Sequence, residues 1–127
     1  MRIALIAHDG RKAEMVNFLL AHKELLKNVT LFATGTTGSH IERAGFEVTR
    51  LLSGPIGGDA QIASMAATNE LDIVIFFRDP LGKHPHEPDV QMLMRICDVH
   101  NIPLATNPAT AELMLNGTEL RPDMMQK

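Results

Sequence analysis

Six side chains have the types needed for acid–base chemistry: His8, Asp9, Asp59, Asp79, His86 and Asp89. A carboxylate can take a proton from a carbon next to a carbonyl. A neutral histidine can polarise that carbonyl and move protons between oxygens. The same four aspartates and two histidines also have the right atoms for a metal, and His84-Pro85-His86-Glu87-Pro88-Asp89 carries the H-x-H spacing found in metal hydrolases. Against a metal, Pro85 and Pro88 stiffen that loop, and no Cys/His pairing matches a structural zinc site. His84 reads as a solvent-facing loop residue, and Asp89 also sits where a helix cap would. His22, His40 and His100 fall on or beside helix bodies and are given no role.

A second group is suited to an anion. Thr34, Thr36, Thr37 and Ser53 offer hydroxyls, Gly35 and Gly54 offer unobstructed amides, and Lys12 adds a positive charge in the first turn of its helix. Hydroxyls, helix-start amides and one lysine make a small site that best fits phosphate. Taken alone, Thr34-Gly35-Thr36-Thr37-Gly38 reads equally as a turn with a capping threonine; its convergence with Lys12 and Ser53 favours the site. Neither G-x-x-x-x-G-K-[ST] nor G-x-G-x-x-G occurs, so the phosphate belongs to a small substrate rather than a dinucleotide. Ser53 lacks the G-x-S-x-G frame of a nucleophile and reads as a binding residue.

The two groups meet in residues 52–61, Leu-Ser-Gly-Pro-Ile-Gly-Gly-Asp-Ala-Gln. Three glycines and a proline between Gly54 and Gly58 break any regular element. From Asp59 the pattern turns helical, with Ile62, Met65 and Ala66 on one side. On its own the stretch admits two readings, a turn followed by an Asp-capped helix or an anion-binding catalytic loop.

The elements that must position these residues alternate along the chain. Ile3 to Ala7 is a continuous apolar run, as expected of a strand covered on both faces. It leads into a helix over 11–22 with Asp9 as N-cap and Met15, Phe18, Leu19 and His22 on one side. Val29 to Ala33 is a second strand, followed by a short helix through Ile41 and Ala44 that Gly45 closes. Phe46 to Leu51 alternates as a third strand, and Asp72 to Phe77 is the strongest. A proline-rich loop over 81–88 precedes a helix over about residues 89–100 by its period, packing Val90, Leu93, Met94 and Cys97. Pro103 to Ala105 is a fifth strand. Asn107-Pro108 caps a last helix that stops near Asn116-Gly117. Residues 118–127 are polar without a period and are expected to be loosely ordered or to lie on a neighbouring subunit. The alternation makes an α/β fold with a mainly parallel sheet. Each strand ends in polar residues: His8-Asp9, Thr34 to Thr37, Ser53-Gly54, Arg78-Asp79 and Thr106-Asn107. In an open parallel sheet these ends share one edge, where ligands bind.

The bulk properties set bounds. A chain of 127 residues, 45% hydrophobic and 21% charged, suits one domain over 1–127. Its net charge of −3 gives no footprint for nucleic acid and argues against an anionic membrane surface. No apolar run approaches the ~20 residues that span a bilayer. The N-terminal apolar run stops at His8-Asp9, too soon for a signal peptide. One cysteine, Cys97, excludes an internal disulfide framework, fits a reducing, cytoplasmic setting and reads as core filler rather than a nucleophile.

Six segments together resemble the methylglyoxal synthase family: Ala7-His8-Asp9, Ala33 to Gly38, Ser53 to Gln61, Phe76 to Pro80, Pro85 to Asp89, and Ile102 to Asn107. The Thr-Gly-Thr-Thr-Gly element alone also resembles wider regulatory domains of the same fold. The resemblance implies a three-layer α/β/α sandwich of flavodoxin-like or Rossmann-like form with a five-stranded, mainly parallel sheet. It implies conversion of dihydroxyacetone phosphate to methylglyoxal and inorganic phosphate, with no metal or organic cofactor, in a homohexamer. Asp59 matches the family's general base and His86 its electrophilic histidine. His8, Lys12, Thr34, Gly35, Thr36, Thr37, Ser53 and Gly54 match its substrate and phosphate contacts, and Asp9, Asp79 and Asp89 match supporting acidic residues. Ile56 and Ala60 stand at positions that vary in the family, and the short C-terminal tail leaves tail-borne intersubunit contacts open.

Overall fold

The computed structural model describes residues 1–82 and 87–118. Among these residues, five strands form one sheet: β1 (Arg2–Ala7), β2 (Thr30–Ala33), β3 (Thr49–Arg50), β4 (Ile73–Phe77) and β5 (Leu104–Ala105). The order is β3-β2-β1-β4-β5, and all four pairings are parallel. The helices are α1 (Lys12–Ala21), α2 (Gly35–Arg43), α3 (Gly58–Ala67), α4 (Glu87–Val99) and α5 (Pro108–Thr118).

The period-2 geometry of β1 divides its side chains between two cores. Ile3, Leu5 and Ala7 join Met15, Phe18 and Leu19 of α1, Ile41 of α2, and Ala111 and Leu115 of α5. Ala4 and Ile6 face Ile62, Ala63 and Ala66 of α3 and Val90, Leu93 and Cys97 of α4. Helices therefore cover both faces, giving the expected three layers. This is why the β1 and β4 segments are continuously apolar: neither face meets water. Burying each large aliphatic side chain contributes about 1.5–3 kcal/mol.

Register brings the strand ends to one edge. Leu5 pairs with Ala33, Ala7 with Phe77, Ala33 with Arg50 and Ile75 with Ala105. The chain builds outward from β1 through β2 and β3, then crosses to β4 on the other side. The order of connection reverses at β1, and the crevice at such a reversal is the usual ligand position in open α/β sheets.

Several boundaries differ from the periodicity. The third strand pairs only over Thr49 and Arg50, because an edge strand has one neighbour to hold it; Phe46 and Val48 instead pack as half-buried side chains on the core. A 3-10 turn over Asp9–Arg11 precedes α1, so Arg11 rather than Asp9 stands at the N-cap of that helix. The second helix starts at Gly35, so Thr34 is its N-cap residue and Thr36-Thr37 belong to its first turn. Asp59 is not a cap: Gly57 holds that position with φ 120°. The last helix runs through Gly117 to Thr118. Buried Leu115 and Thr118 hold that turn against the core, offsetting the ~1 kcal/mol that a helical glycine costs. Thr118 is thus helical, while 119–127 lie outside the described residues.

Candidate active site

Two clusters at the strand edge carry most of the residues singled out above. The first surrounds the Ala7 carbonyl. Lys12, the first residue of α1, is only 9% exposed. Its Nζ donates to Ala7 O at 3.2 Å and to Asp9 Oδ1 at 2.5 Å. Thr37 Oγ1 donates to the same Ala7 carbonyl at 3.4 Å. The Asp9 side chain is itself 99% exposed, so it steadies Lys12 from the solvent side and does not point into the fold. Buried His8 follows β1. The Asp79 backbone N–H donates to its Nδ1 at 3.0 Å. That bond makes Nδ1 an acceptor and leaves Nε2 as the ring's N–H donor. The His8 ring meets Phe76 edge-on, with centroids 5.1 Å apart. Asp79 also closes over Gly10, where an added Cβ would lie 3.1 Å from Asp79 Oδ2.

The second cluster joins the α2 start to the α3 start. Leu51 N–H donates to Ala33 O at 2.8 Å, and Gly35 N–H donates to Leu52 O at 3.2 Å. The chain then turns through a 3-10 segment, Gly54–Ile56, into α3. Ser53 O accepts from Ile56 N–H at 3.1 Å and from Gly58 N–H at 2.9 Å. Asp59, in the first turn of α3, is wholly buried. Its carboxylate lies against Gly54: a Cβ there would stand 3.2 Å from Oδ1 and 3.5 Å from Oδ2. Gly58 is pressed harder still, and a Cβ on it would be 2.0 Å from Leu52 O and 2.9 Å from Thr34 Cγ2. The phosphate-type residues Thr34, Gly35, Ser53 and Gly54 and the carboxylate of Asp59 therefore share one interlocked unit.

The first turns of α2 and α3 follow the polar strand ends, and their backbone N–H groups suit an anion. His40, on α2, has its pKa lowered, first by burial and then by the positive charges of Arg43 and Lys12.

Other residues lie elsewhere or outside the described set. His84 and His86 are outside the described residues. Asp89 is placed by its backbone in the first turn of α4, inside that helix rather than before it. Thr106 and Asn107 line a different cavity of about 330 Å³ with Arg11, Glu14 and Arg78. There Asn107 does cap α5, accepting from Thr110 N–H at 2.9 Å. Cys97 is 1% exposed in the α3–α4 core, and burial pushes its thiol up to about 11, as suits an inert filler. Among the described residues, no group of three or more His, Cys, Asp or Glu is arranged to hold a metal ion, and no helix is long and apolar enough to cross a membrane.

Sequence reasoning gave no role to Gln61, whose Oε1 accepts from Leu52 N–H at 2.8 Å. Nor did it find that Gly58 and Gly10 are contact glycines. A glycine before a polar first turn was the available signal, but only the fold supplies the opposing atoms.

Known proteins share this chain's sequence and fold. The family model described as "MGS-like domain" matches residues 14–106. The methylglyoxal synthase of Moorella thermoacetica is 57% identical over 127 residues, covering 99% of both chains. That of Lysinibacillus sphaericus is 58% identical over 120 residues, 94% of this chain and 90% of its own. The crystal structure of methylglyoxal synthase from Elizabethkingia anophelis matches with a TM-score of 0.85 at 48% identity, over 90% of this chain and 76% of that one. With the family model matching residues 14–106 and relatives at 57–58% identity over nearly the whole chain, the chain belongs to the methylglyoxal synthase family.

Proposed function

We infer that the chain is a single catalytic domain, a carbon–oxygen lyase that converts dihydroxyacetone phosphate to methylglyoxal and inorganic phosphate. One observation carries the assignment of roles: the wholly buried Asp59 carboxylate is packed against Gly54, beside the Ser53-Gly54 amides. A base and an anion cradle on one rigid unit can address the two ends of a three-carbon phosphate ester.

Lys12, Thr34 to Thr37 and the amides of Ser53 and Gly54 hold the phosphate. Asp59 takes a proton from the hydroxymethyl carbon, and the C–H electron pair forms an ene-diolate with the former carbonyl. His86 and the Nε2–H of His8 donate hydrogen bonds to the oxygens where negative charge grows; such donors stabilise the transition state more than the ground state. The ene-diolate electrons then expel the bridging oxygen with the phosphate, leaving the enol of methylglyoxal, which tautomerises. Elimination needs the C–O bond held out of the ene-diolate plane, which is the task of the phosphate cradle. Asp79 supports His8 through its backbone, and Asp9 steadies Lys12. Asp89, at the start of α4, belongs to the same set of supporting acids.

No step calls for a metal or organic cofactor. Family membership supports a homohexamer, to be checked by native mass, and a single buried thiol suits a cytoplasmic enzyme. The deciding experiment is methylglyoxal release from dihydroxyacetone phosphate with a strong chelator present. Equal release with and without chelator supports the metal-free lyase; no release from this substrate would remove it.

A further inference from the structure

The Leu52 peptide is where the two halves of the site are joined. Its carbonyl accepts from Gly35 N–H at 3.2 Å, at the start of the threonine turn. The same carbonyl fills the space that a side chain on Gly58 would need, at the start of the helix carrying Asp59. Its N–H donates at 2.8 Å to Gln61 Oε1, one turn into that helix. Gln61 makes no other side-chain hydrogen bond among the described residues, and it is exposed, so packing is not what holds it.

From this geometry we propose that Gln61 is a positioning residue, tying the loop that carries Ser53 and Gly54 to the helix that carries Asp59. A carboxylate and a substrate phosphate act together only if the distance between base and cradle is fixed. Ser53 O already bonds to Gly58 N–H at 2.9 Å, which anchors the far side of the loop. The Gln61 bond anchors the near side, across Gly57, whose φ of 120° is a turn that glycine adopts readily. Without the near anchor, Lys12 and the threonine turn still take phosphate, but Asp59 no longer stands at a set distance from the carbon it deprotonates. Small misplacements of this kind reduce rate more than binding.

The consequence for turnover rests on the lyase reading; the tether itself does not. Two variants separate acceptor from side-chain bulk. Gln61→Met keeps length and helix propensity but removes the acceptor, whereas Gln61→Glu keeps an acceptor oxygen. Amide hydrogen exchange, read by NMR, should quicken at Leu52 and Gly35 in Gln61→Met and stay near the parent rate in Gln61→Glu. With dihydroxyacetone phosphate, kcat per folded enzyme should fall about tenfold or more in Gln61→Met, with a much smaller change in inorganic phosphate affinity. Gln61→Glu should recover most of kcat, its added charge appearing in KM. Unchanged exchange in Gln61→Met overturns the tether. Faster exchange with unchanged kcat overturns its role in catalysis, as does an equal loss of kcat in both variants. If the parent enzyme releases no methylglyoxal, the lyase reading fails, while the exchange rates still judge the tether.

Discussion

Gly58 is the position where the structure makes its sharpest demand. A Cβ added there would sit 2.0 Å from Leu52 O and 2.9 Å from both Leu52 C and Thr34 Cγ2. Carbon atoms in contact rest at about 3.5–4.0 Å, so more than an ångström of overlap must be relieved. The opposing group cannot yield cheaply, because the Leu52 peptide is held by Gly35 on one side and Gln61 on the other. Overpacking costs about 1–3 kcal/mol, and breaking the Gly35 bond adds about 1 kcal/mol. Gly58→Ala should therefore cost roughly 2–4 kcal/mol. A chain of this length unfolds with an entropy of about 0.27 kcal/mol/K, so Tm should fall by about 7–15 °C. The assay is thermal unfolding at fixed protein concentration, with urea titration as a second measure. Gly45→Ala is the control: Gly45 has φ +101° with nothing within 4 Å of an added Cβ. It should cost only the left-handed strain, about 1–2 kcal/mol. A Gly58→Ala protein melting within 2 °C of the parent, or no lower than Gly45→Ala, would refute the steric account.

Other substitutions test separate parts of the molecule. Gly54→Ala brings a methyl within 3.2 Å of Asp59 Oδ1 and should lower kcat several-fold while changing Tm little, because a side chain can shift where a backbone cannot. Asp59→Asn should reduce kcat by about 10²–10⁴ while inorganic phosphate still binds, as calorimetry would show; most of the turnover surviving would remove Asp59 as the base. Asp72 Oδ2 accepts from Arg2 N–H at 2.8 Å and so ties β4 to the start of β1. Asp72→Ala should cost about 1.5–3 kcal/mol in urea unfolding, with kcat unaltered. Cys97, raised from 9.0 to about 11 by burial, should react with a thiol reagent at pH 8 far more slowly in the native protein than in denaturant. Because its folded pKa lies above the unfolded one, its contribution to stability is full below pH 9 and is lost as pH rises through about 11.

The element order and the polar strand ends were legible in the sequence for a simple reason. A strand covered on both faces must be apolar throughout, as Ile3 to Ala7 and Ile73 to Phe77 are, and helices on such a sheet must repeat with the helical period. Those local rules put His8, Lys12, Thr34 and Ser53 at one edge and Asp59 near a helix start. They also made the six matching segments recognisable. What they could not supply was distance between segments. Whether Asp59 caps its helix or lies buried in the first turn depends on Gly57 taking a left-handed conformation and on Gly54 leaving room for the carboxylate. The shortening of β3 depends on its place at the sheet edge, and the run of α5 through Gly117 on the burial of Leu115 and Thr118. Asp9, which read as a helix cap, instead reaches Lys12 because a 3-10 turn changes the angle of approach. The chain by itself determined which chemical groups are present and which edge of the sheet holds them. Only the packing of Leu52 between Gly35, Gly58 and Gln61 decided how the anion cradle and the base are fixed to each other, because those contacts join residues from three separate elements and leave no periodic trace in the sequence.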